Sequence, residues 1–246
     1  MILVSAGCAV TAKLVKEAGF DGIWVSGFEA SARLGLADNG SISLIQMLEL
    51  TKPIVGATSL PVYVDVDTGY SDFNRTVKEF ESIGAAGVCI EDVHPDYKQN
   101  SLWGDKVPLM DIDKFVQKLD INRKIHVIAR TEAFIRGYGM NETALRMNRY
   151  RQAGADYLLP HSRTQPLQIN QAWGAKYATV PTKFPEYTNH ELRQLGYSMI
   201  IWANQTERVK IKAVRDMLNR LKRCDRMLEA EQDLCASLDD MRGLCE

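Results

Sequence analysis

A chain of 246 residues has the length of one (β/α)8 barrel and is long for two compact domains, so a single large core is expected. Lysine plus arginine (30) nearly cancels aspartate plus glutamate (31), and a net charge of -1 excludes a nucleic-acid surface that works by counterion release. Five cysteines (Cys8, Cys89, Cys224, Cys235 and Cys245) form no CxxC pair, no signal-like run precedes the first strand, and apolar runs such as Tyr197 to Ala203 fall far short of a membrane span, so a reduced, cytoplasmic setting away from the membrane is expected.

Short apolar, β-branched runs then alternate with amphipathic stretches, the pattern of parallel βα units. A strand over Ile2 to Ala6 leads into a helix over Val10 to Ala18, and a second strand covers Gly22 to Ser26. Strand three, Val62 to Asp67, precedes a helix over Thr76 to Ile83, and strand four covers Gly87 to Asp92. Strand five, His126 to Arg130, precedes a helix over Asn141 to Ala153. Strands six, seven and eight cover Tyr157 to His161, Ala178 to Thr182 and Met199 to Asn204, and a helix follows over Glu207 to Leu221. Gly19, Gly84, Gly154 and Gly196 each stand shortly before a strand, where a helix C-cap glycine belongs. These elements predict a single (β/α)8 barrel over residues 1–222. Residues 223–246 form a charged helical tail whose apolar side is Met227, Leu228, Leu234, Leu238, Met241 and Leu244, and it is expected to pack on a neighbouring subunit.

Strands buried on both faces are apolar through their middles, so polar residues at their ends converge on one rim, where such barrels place their active sites. The pattern puts Ser26, Asp65, Asp67, Glu91, Arg130, His161, Thr182 and Asn204 there. Asp65 and Asp67, spaced i, i+2, are expected on the same face of one strand, with Glu91 ending the next. Singly, each acid reads equally well as a helix cap. Together, three carboxylates around one point repel unless a cation joins them, and oxygen donors without His or Cys suit magnesium, with manganese as the alternative. Arg130 and His161 across the pocket suit a phosphoryl or carboxylate group. Ser26-Gly27-Phe28 turns through glycine, so its N–H groups can face an anion. Lys98 to Gly104 is a polar loop long enough to serve as a lid.

From about Val4 to Leu221 these residues resemble the phosphoenolpyruvate mutase and isocitrate lyase superfamily, and within it the phosphoenolpyruvate mutase family most of all. The resemblance rests on Gly22-Ile-Trp-Val-Ser-Gly27, Leu36-Ala-Asp-Asn39, Asp65-Val-Asp-Thr-Gly-Tyr70, Gly87-Val-Cys-Ile-Glu-Asp92 and Lys98-Gln-Asn-Ser-Leu102. It continues in Ile128-Ala-Arg-Thr-Glu-Ala-Phe134, His161-Ser162, Val180-Pro-Thr-Lys183 and Ile201-Trp-Ala-Asn204. It implies a magnesium site at Asp65, Asp67 and Glu91, with Asp67 the direct ligand and the others acting largely through water. It implies substrate contacts from Trp24, Ser26, Gly27, Phe28 and Ser101, an essential loop aspartate at Asp38, phosphoryl-binding groups at Asn100, Arg130 and His161, and a gating loop carrying Lys98 and Asn100. The implied substrate is phosphoenolpyruvate or phosphonopyruvate, and the implied assembly is a homodimer or homotetramer in which the last helix is exchanged between barrels.

Some positions depart from that pattern. The family's helix ahead of strand one has no counterpart, so a less well covered barrel floor is expected. Phe28-Glu29 after Ser26-Gly27 looks more like phosphonopyruvate hydrolase, while Gln99 and Gln205 stand where the mutase usually has Thr and His. Asn100 favours interconversion of phosphoenolpyruvate and phosphonopyruvate over hydrolysis, since the hydrolase usually has Thr there. Carbon–carbon lyases rank third, because their loop cysteine is missing between Asp92 and Trp103. A catalytically silent binding barrel ranks behind all of these, since it would not need the full set of acids.

Overall fold

The computed structural model describes residues 1–103, 106–167 and 174–245; the expected lid's last residue, Gly104, and the tail's last, Glu246, fall outside them. Eight parallel strands close into a barrel in chain order. They are β1 (Ile2–Ser5), β2 (Gly22–Val25), β3 (Val62–Asp65), β4 (Gly87–Glu91), β5 (His126–Thr131), β6 (Tyr157–Pro160), β7 (Tyr177–Thr179) and β8 (Tyr197–Trp202). Closure comes from β1 pairing with β8 in the register Ile2–Ile200 and Leu3–Ile201. The helices are α1 (Ala9–Glu17), α2 (Gly27–Leu34), α3 (Leu44–Gly56), α4 (Phe73–Ser82), α5 (Ile112–Leu119), α6 (Gly139–Gln152), α7 (Asn189–Gln194), α8 (Gln205–Cys224), α9 (Leu228–Asp233) and α10 (Leu238–Cys245). Among the described residues no helix is long and apolar enough to cross a membrane.

The period of two along each strand sorts the core into two layers. Ile23, Val25, Val62, Val64, Val88, Ile90, Val127 and Ala129 face outward onto the helices. Their neighbours Trp24, Tyr63, Cys89 and Ile128 face inward with Leu3, Leu159, Met199 and Ile201. Following the inward parity two residues further brings Ser26, Asp65, Glu91, Arg130 and His161 to the mouth. The same alternation that builds the core therefore aims the site.

Where the helices end, the sequence pattern is met closely: Gly19, Gly84, Gly154 and Gly196 all have positive φ, the left-handed conformation that glycine adopts at least cost. Several strands stop earlier than their apolar patterns suggest. Asp67 was expected inside strand three, but the strand ends at Asp65 and Asp67 has φ 50°, incompatible with a strand; Tyr70 follows at 56°. Strand seven ends at Thr179, because Pro181, which has no N–H to donate, opens a 3₁₀ turn over Pro181–Lys183. The tail folds back on its own barrel. Arg220 Nη1 meets Asp233 Oδ2 at 2.6 Å, and Lys13 Nζ donates to the Leu244 carbonyl at 2.7 Å. Even so, Leu238 and Met241 stay 81 % and 64 % exposed.

Candidate active site

The mouth of the barrel is charged and mostly buried. Ser26 caps α2, its hydroxyl accepting from the Glu29 amide, so the free N–H groups of that helix's first turn open onto the mouth. Gly27 lies against Asp65 and Asp67: a Cβ added there would stand 3.4 Å from Asp67 Oδ1 and 3.7 Å from Asp65 Oδ2. The two carboxylates thus sit beside the positive end of the α2 dipole.

Two cations answer the acids. Lys98 Nζ stands 3.2 Å from Asp67 Oδ1 and 3.0 Å from Glu91 Oε1, while Arg130 reaches Glu91 Oε2 at 3.3 Å and Asp65 Oδ2 at 3.7 Å. Asp65 Oδ1 remains buried without a hydrogen-bond partner, and Glu91 Oε1 faces Lys98 without hydrogen-bond alignment. Burial, reinforced by the neighbouring acids, pushes the Asp65 carboxyl up to about 7 and raises that of Asp67. Burial opposes the charge on Lys98, but Glu91, Asp67 and Asp38 outweigh it and hold the ammonium strongly protonated. Among the described residues no three His, Cys, Asp or Glu side chains stand close enough to hold a metal directly. The arrangement suits a hydrated divalent ion with few direct bonds, and the lysine ammonium marks where positive charge is wanted.

Across the pocket Arg130, Ser101 and His161 form a second cluster. Arg130 Nη2 donates to Ser101 Oγ at 3.2 Å and lies 2.9 Å from His161 Nδ1. Glu132, fully buried, backs both, accepting from Arg130 Nε at 2.6 Å and lying 2.8 Å from His161 Nδ1. A carboxylate only accepts and a guanidinium only donates, so the neutral ring satisfies one of the two at Nδ1: it donates to Glu132 with the proton there, or accepts from Arg130 with the proton on Nε2. Burial, together with Arg130, lowers the affinity of the His161 ring for a second proton. Burial would raise the Glu132 carboxyl, but Arg130 and His161 overcome it and keep Glu132 ionised.

The lid is closed in this conformation. Asn100 Nδ2 donates to Asp38 Oδ2 at 2.5 Å, the Leu102 amide donates back to Asn100 Oδ1 at 2.9 Å, and Arg136 Nη2 holds the Gln99 carbonyl at 2.6 Å. Trp103 packs edge-on against Phe28 with ring centroids 5.4 Å apart. The space left between these groups measures about 50 Å³. That volume holds a few waters, so a larger ligand requires the lid and Lys98 to move.

Of the residues expected at the site, Trp24, Ser26, Phe28, Asp38, Asp65, Asp67, Lys98, Asn100, Ser101, Arg130 and His161 line this one pocket. Gly27 backs the carboxylates, and Glu91 lies behind Lys98 and Arg130. Leu102, Val180, Thr182, Ala203 and Asn204 also line it without an assigned role from sequence, although strand-end position had already put Thr182 and Asn204 at the rim. Glu132 reads from sequence only as an ion-pair partner of Arg130, which it is, and its contact with His161 was missed. Its signal was available, since Arg130 and Glu132 are two apart and a strand's period puts both on one face.

The family described as phosphoenolpyruvate phosphomutase has a model that matches residues 1–222. A phosphoenolpyruvate phosphomutase of Tetrahymena pyriformis is 35% identical over 246 aligned residues, covering 93% of this chain and 81% of that one. The crystal structure of a phosphoenolpyruvate phosphomutase from Streptomyces platensis subsp. rosaceus superposes with a TM-score of 0.92 at 30% identity, covering 100% of this chain and 90% of that one. A phosphonopyruvate hydrolase in complex with oxalate and Mg++ superposes with a TM-score of 0.89 at 29% identity, covering 100% of this chain and 89% of that one.

Proposed function

This chain belongs to the phosphoenolpyruvate phosphomutase family, and from that footing we propose that it interconverts phosphoenolpyruvate and 3-phosphonopyruvate, moving phosphorus between oxygen and carbon. The observation that carries this reading is the closed lid, in which Asn100 is tied to Asp38 beside the Arg130–Ser101–His161 cluster. A phosphoryl group passing from oxygen to carbon must be shielded from water, and this lid closes over the groups suited to hold it.

Asp65, Asp67 and Glu91 would hold magnesium, or manganese in its place; when bound, the ion supplies positive charge to the substrate carboxylate and to the enolate oxygen that develops as the C–O–P bond breaks. Ser26 and the first-turn N–H groups of α2 receive the substrate carboxylate. Arg130 and Ser101 supply donors to the phosphoryl oxygens, with His161 closing the wall beside them. Glu132 fixes the aim of Arg130 and His161 without touching substrate. Asn100 supplies an amide donor from the lid, and Leu102 and Trp103 help to exclude water.

A second reading, hydrolysis of phosphonopyruvate to pyruvate and phosphate, is favoured by the Phe28-Glu29 pair, which follows the cradle as in the hydrolase. Phosphorus NMR of phosphonopyruvate with magnesium separates the two: a new phosphoenolpyruvate resonance supports the mutase, and free phosphate as the main product overturns it. We infer also that the barrel assembles as a homodimer or homotetramer through the outer face of α8 and the tail. Ile211, Val214 and Leu218 are 45 %, 52 % and 54 % exposed there. An apolar stripe of that length is the usual mark of a protein contact. The cysteines among the described residues are free, which suits the reduced, cytoplasmic setting expected from the sequence.

A further inference from the structure

Beside the inner pocket lies a second cavity of about 340 Å³, and the two share Phe28, Leu102, Thr182 and Asn204 as a common wall. The charged side chains lining the outer cavity are Lys183, from the 3₁₀ turn after β7, and Arg208, from the first turns of α8. Among the described residues its lining includes no acid. Arg208 Nη1 stands 3.5 Å from Asn204 Oδ1, which places the guanidinium at the shared wall. Trp103 and Phe28 form the apolar side, with Trp103 65 % exposed.

The inner pocket has the opposite character. It is lined by Asp38, Asp65 and Asp67 and backed by Glu91, against Lys98 and Arg130. An anion approaching it therefore meets carboxylates whose charge is not fully answered. An outer chamber whose charged side chains, among the described residues, are cations reverses this at the entrance, where the field of fixed charges reaches about 10 Å at 0.1 M salt. Charge of one sign lining a cleft raises the capture rate of an oppositely charged ligand by roughly 10- to 1,000-fold.

We propose that this outer chamber is a binding site in its own right: an encounter site in which Lys183 and Arg208 capture a small, multiply charged phosphonate or phosphate before the lid opens. The anion then passes over the shared wall of Thr182 and Asn204 as Leu102 and Trp103 withdraw. This rests on the proposed substrate class, since a neutral ligand would gain nothing from the chamber. Trp103 lines the chamber and reports on it.

The test is the double variant Lys183→Met/Arg208→Met, which removes both charges and keeps the apolar stems, together with the charge reversal Lys183→Glu. Stopped-flow tryptophan fluorescence gives the association rate of phosphonopyruvate in the presence of magnesium at 20 mM and 500 mM KCl. At low salt the double variant and Lys183→Glu, each of which takes the lining from two positive charges to a net charge of zero, should both associate about tenfold more slowly than the unmodified protein, with the differences gone at high salt, as steering by fixed charge requires. Equal rates at low salt overturn the proposal, and so does a deficit that persists at 500 mM KCl, which would mark damage to the inner site. Turnover is read separately by phosphorus NMR. Salt-sensitive association without interconversion by the unmodified protein would overturn the proposed function and leave the encounter site standing.

Discussion

Lys98 occupies an ambiguous place, a lid residue whose ammonium sits among the acids proposed for the metal. Its charge must leave before a divalent ion binds there, so it lowers metal affinity in the absence of substrate. Lys98→Met should bind magnesium about tenfold more tightly, roughly 1.4 kcal/mol, even as turnover falls. Calorimetric titration without substrate checks this, and unchanged or weaker affinity would be the wrong result. The Asp65 carboxyl, held near 7 by burial, adds a pH dependence. A raised carboxyl keeps its proton in the folded state below about pH 7, whereas the unfolded chain releases it near 3.8. This group's contribution to metal-free stability therefore declines as pH rises across that window and levels off above it. Because a ligand must be deprotonated, magnesium affinity should climb from pH 6 to 8 with proton release. Asp65→Asn should flatten the climb, and an equally steep profile in that variant would refute the assignment. Asn100 decides between rearrangement and hydrolysis. Asn100→Thr removes the amide that holds Asp38, so interconversion should fall by about 10²- to 10³-fold, the usual cost of one transition-state donor. Coupled assays should then detect pyruvate and phosphate from the admitted water, and a variant that retains full interconversion would show that Asn100 contributes nothing.

At the level of elements, glycine sets how tightly the barrel floor can pack. A Cβ on Gly87 would lie 2.7 Å and 2.8 Å from the Tyr63 ring and 2.9 Å from the His126 carbonyl. The ring is itself fixed by a 3.0 Å contact between Tyr63 Oη and His126 Nδ1. Gly87→Ala should therefore cost about 2 to 3 kcal/mol. Gly56, in α3 with open space around it, is the contrast: Gly56→Ala should be neutral or stabilising by about 0.5 to 1 kcal/mol. Thermal unfolding of both variants tests the pair, and equal shifts would mean that the floor is less rigid than its contacts imply. The strands were legible because the period of two and the rim residues agree, as at Cys89–Glu91 and Ile128–Arg130. The two helices between β2 and β3 were not read: α2 is only 8 residues long, with a buried Glu29 on its inner side. Its N-cap, Ser26, looks like the end of a strand in sequence. Asp67 was misplaced for a related reason, since a left-handed residue leaves no periodic trace.

For the whole molecule, α8 is the least satisfied part. It runs for 20 residues, none of them buried, and Ile211, Val214 and Leu218 form one exposed stripe. Light scattering should give a mass that is a multiple of 27.7 kDa for the unmodified protein, falling to that value for Val214→Glu/Leu218→Glu. An unmodified protein already running at 27.7 kDa would refute assembly through this face. Asp65, Glu91, Arg130 and His161 were legible in sequence because chemistry-bearing side chains cluster at strand ends, whereas the roles of Asp38, Asn100 and Ser101, which lie on loops, came only from the family resemblance. An intersubunit face has no such rule beyond apolar residues that lack a partner.

The pairing of β1 with β8 has a consequence in time. Met1's carbonyl accepts from the Ile200 amide and its ammonium donates to the Ser198 carbonyl, so the seam joins positions almost two hundred residues apart. Loop-closure entropy of that size is met late, and topologies dominated by distant contacts fold slowly. During synthesis the β1 edge therefore stays open until β8 has left the ribosome. For that interval the apolar faces of Leu3 and Val4 lie beside an unpaired strand edge, the kind of surface on which newly made chains aggregate or recruit chaperones.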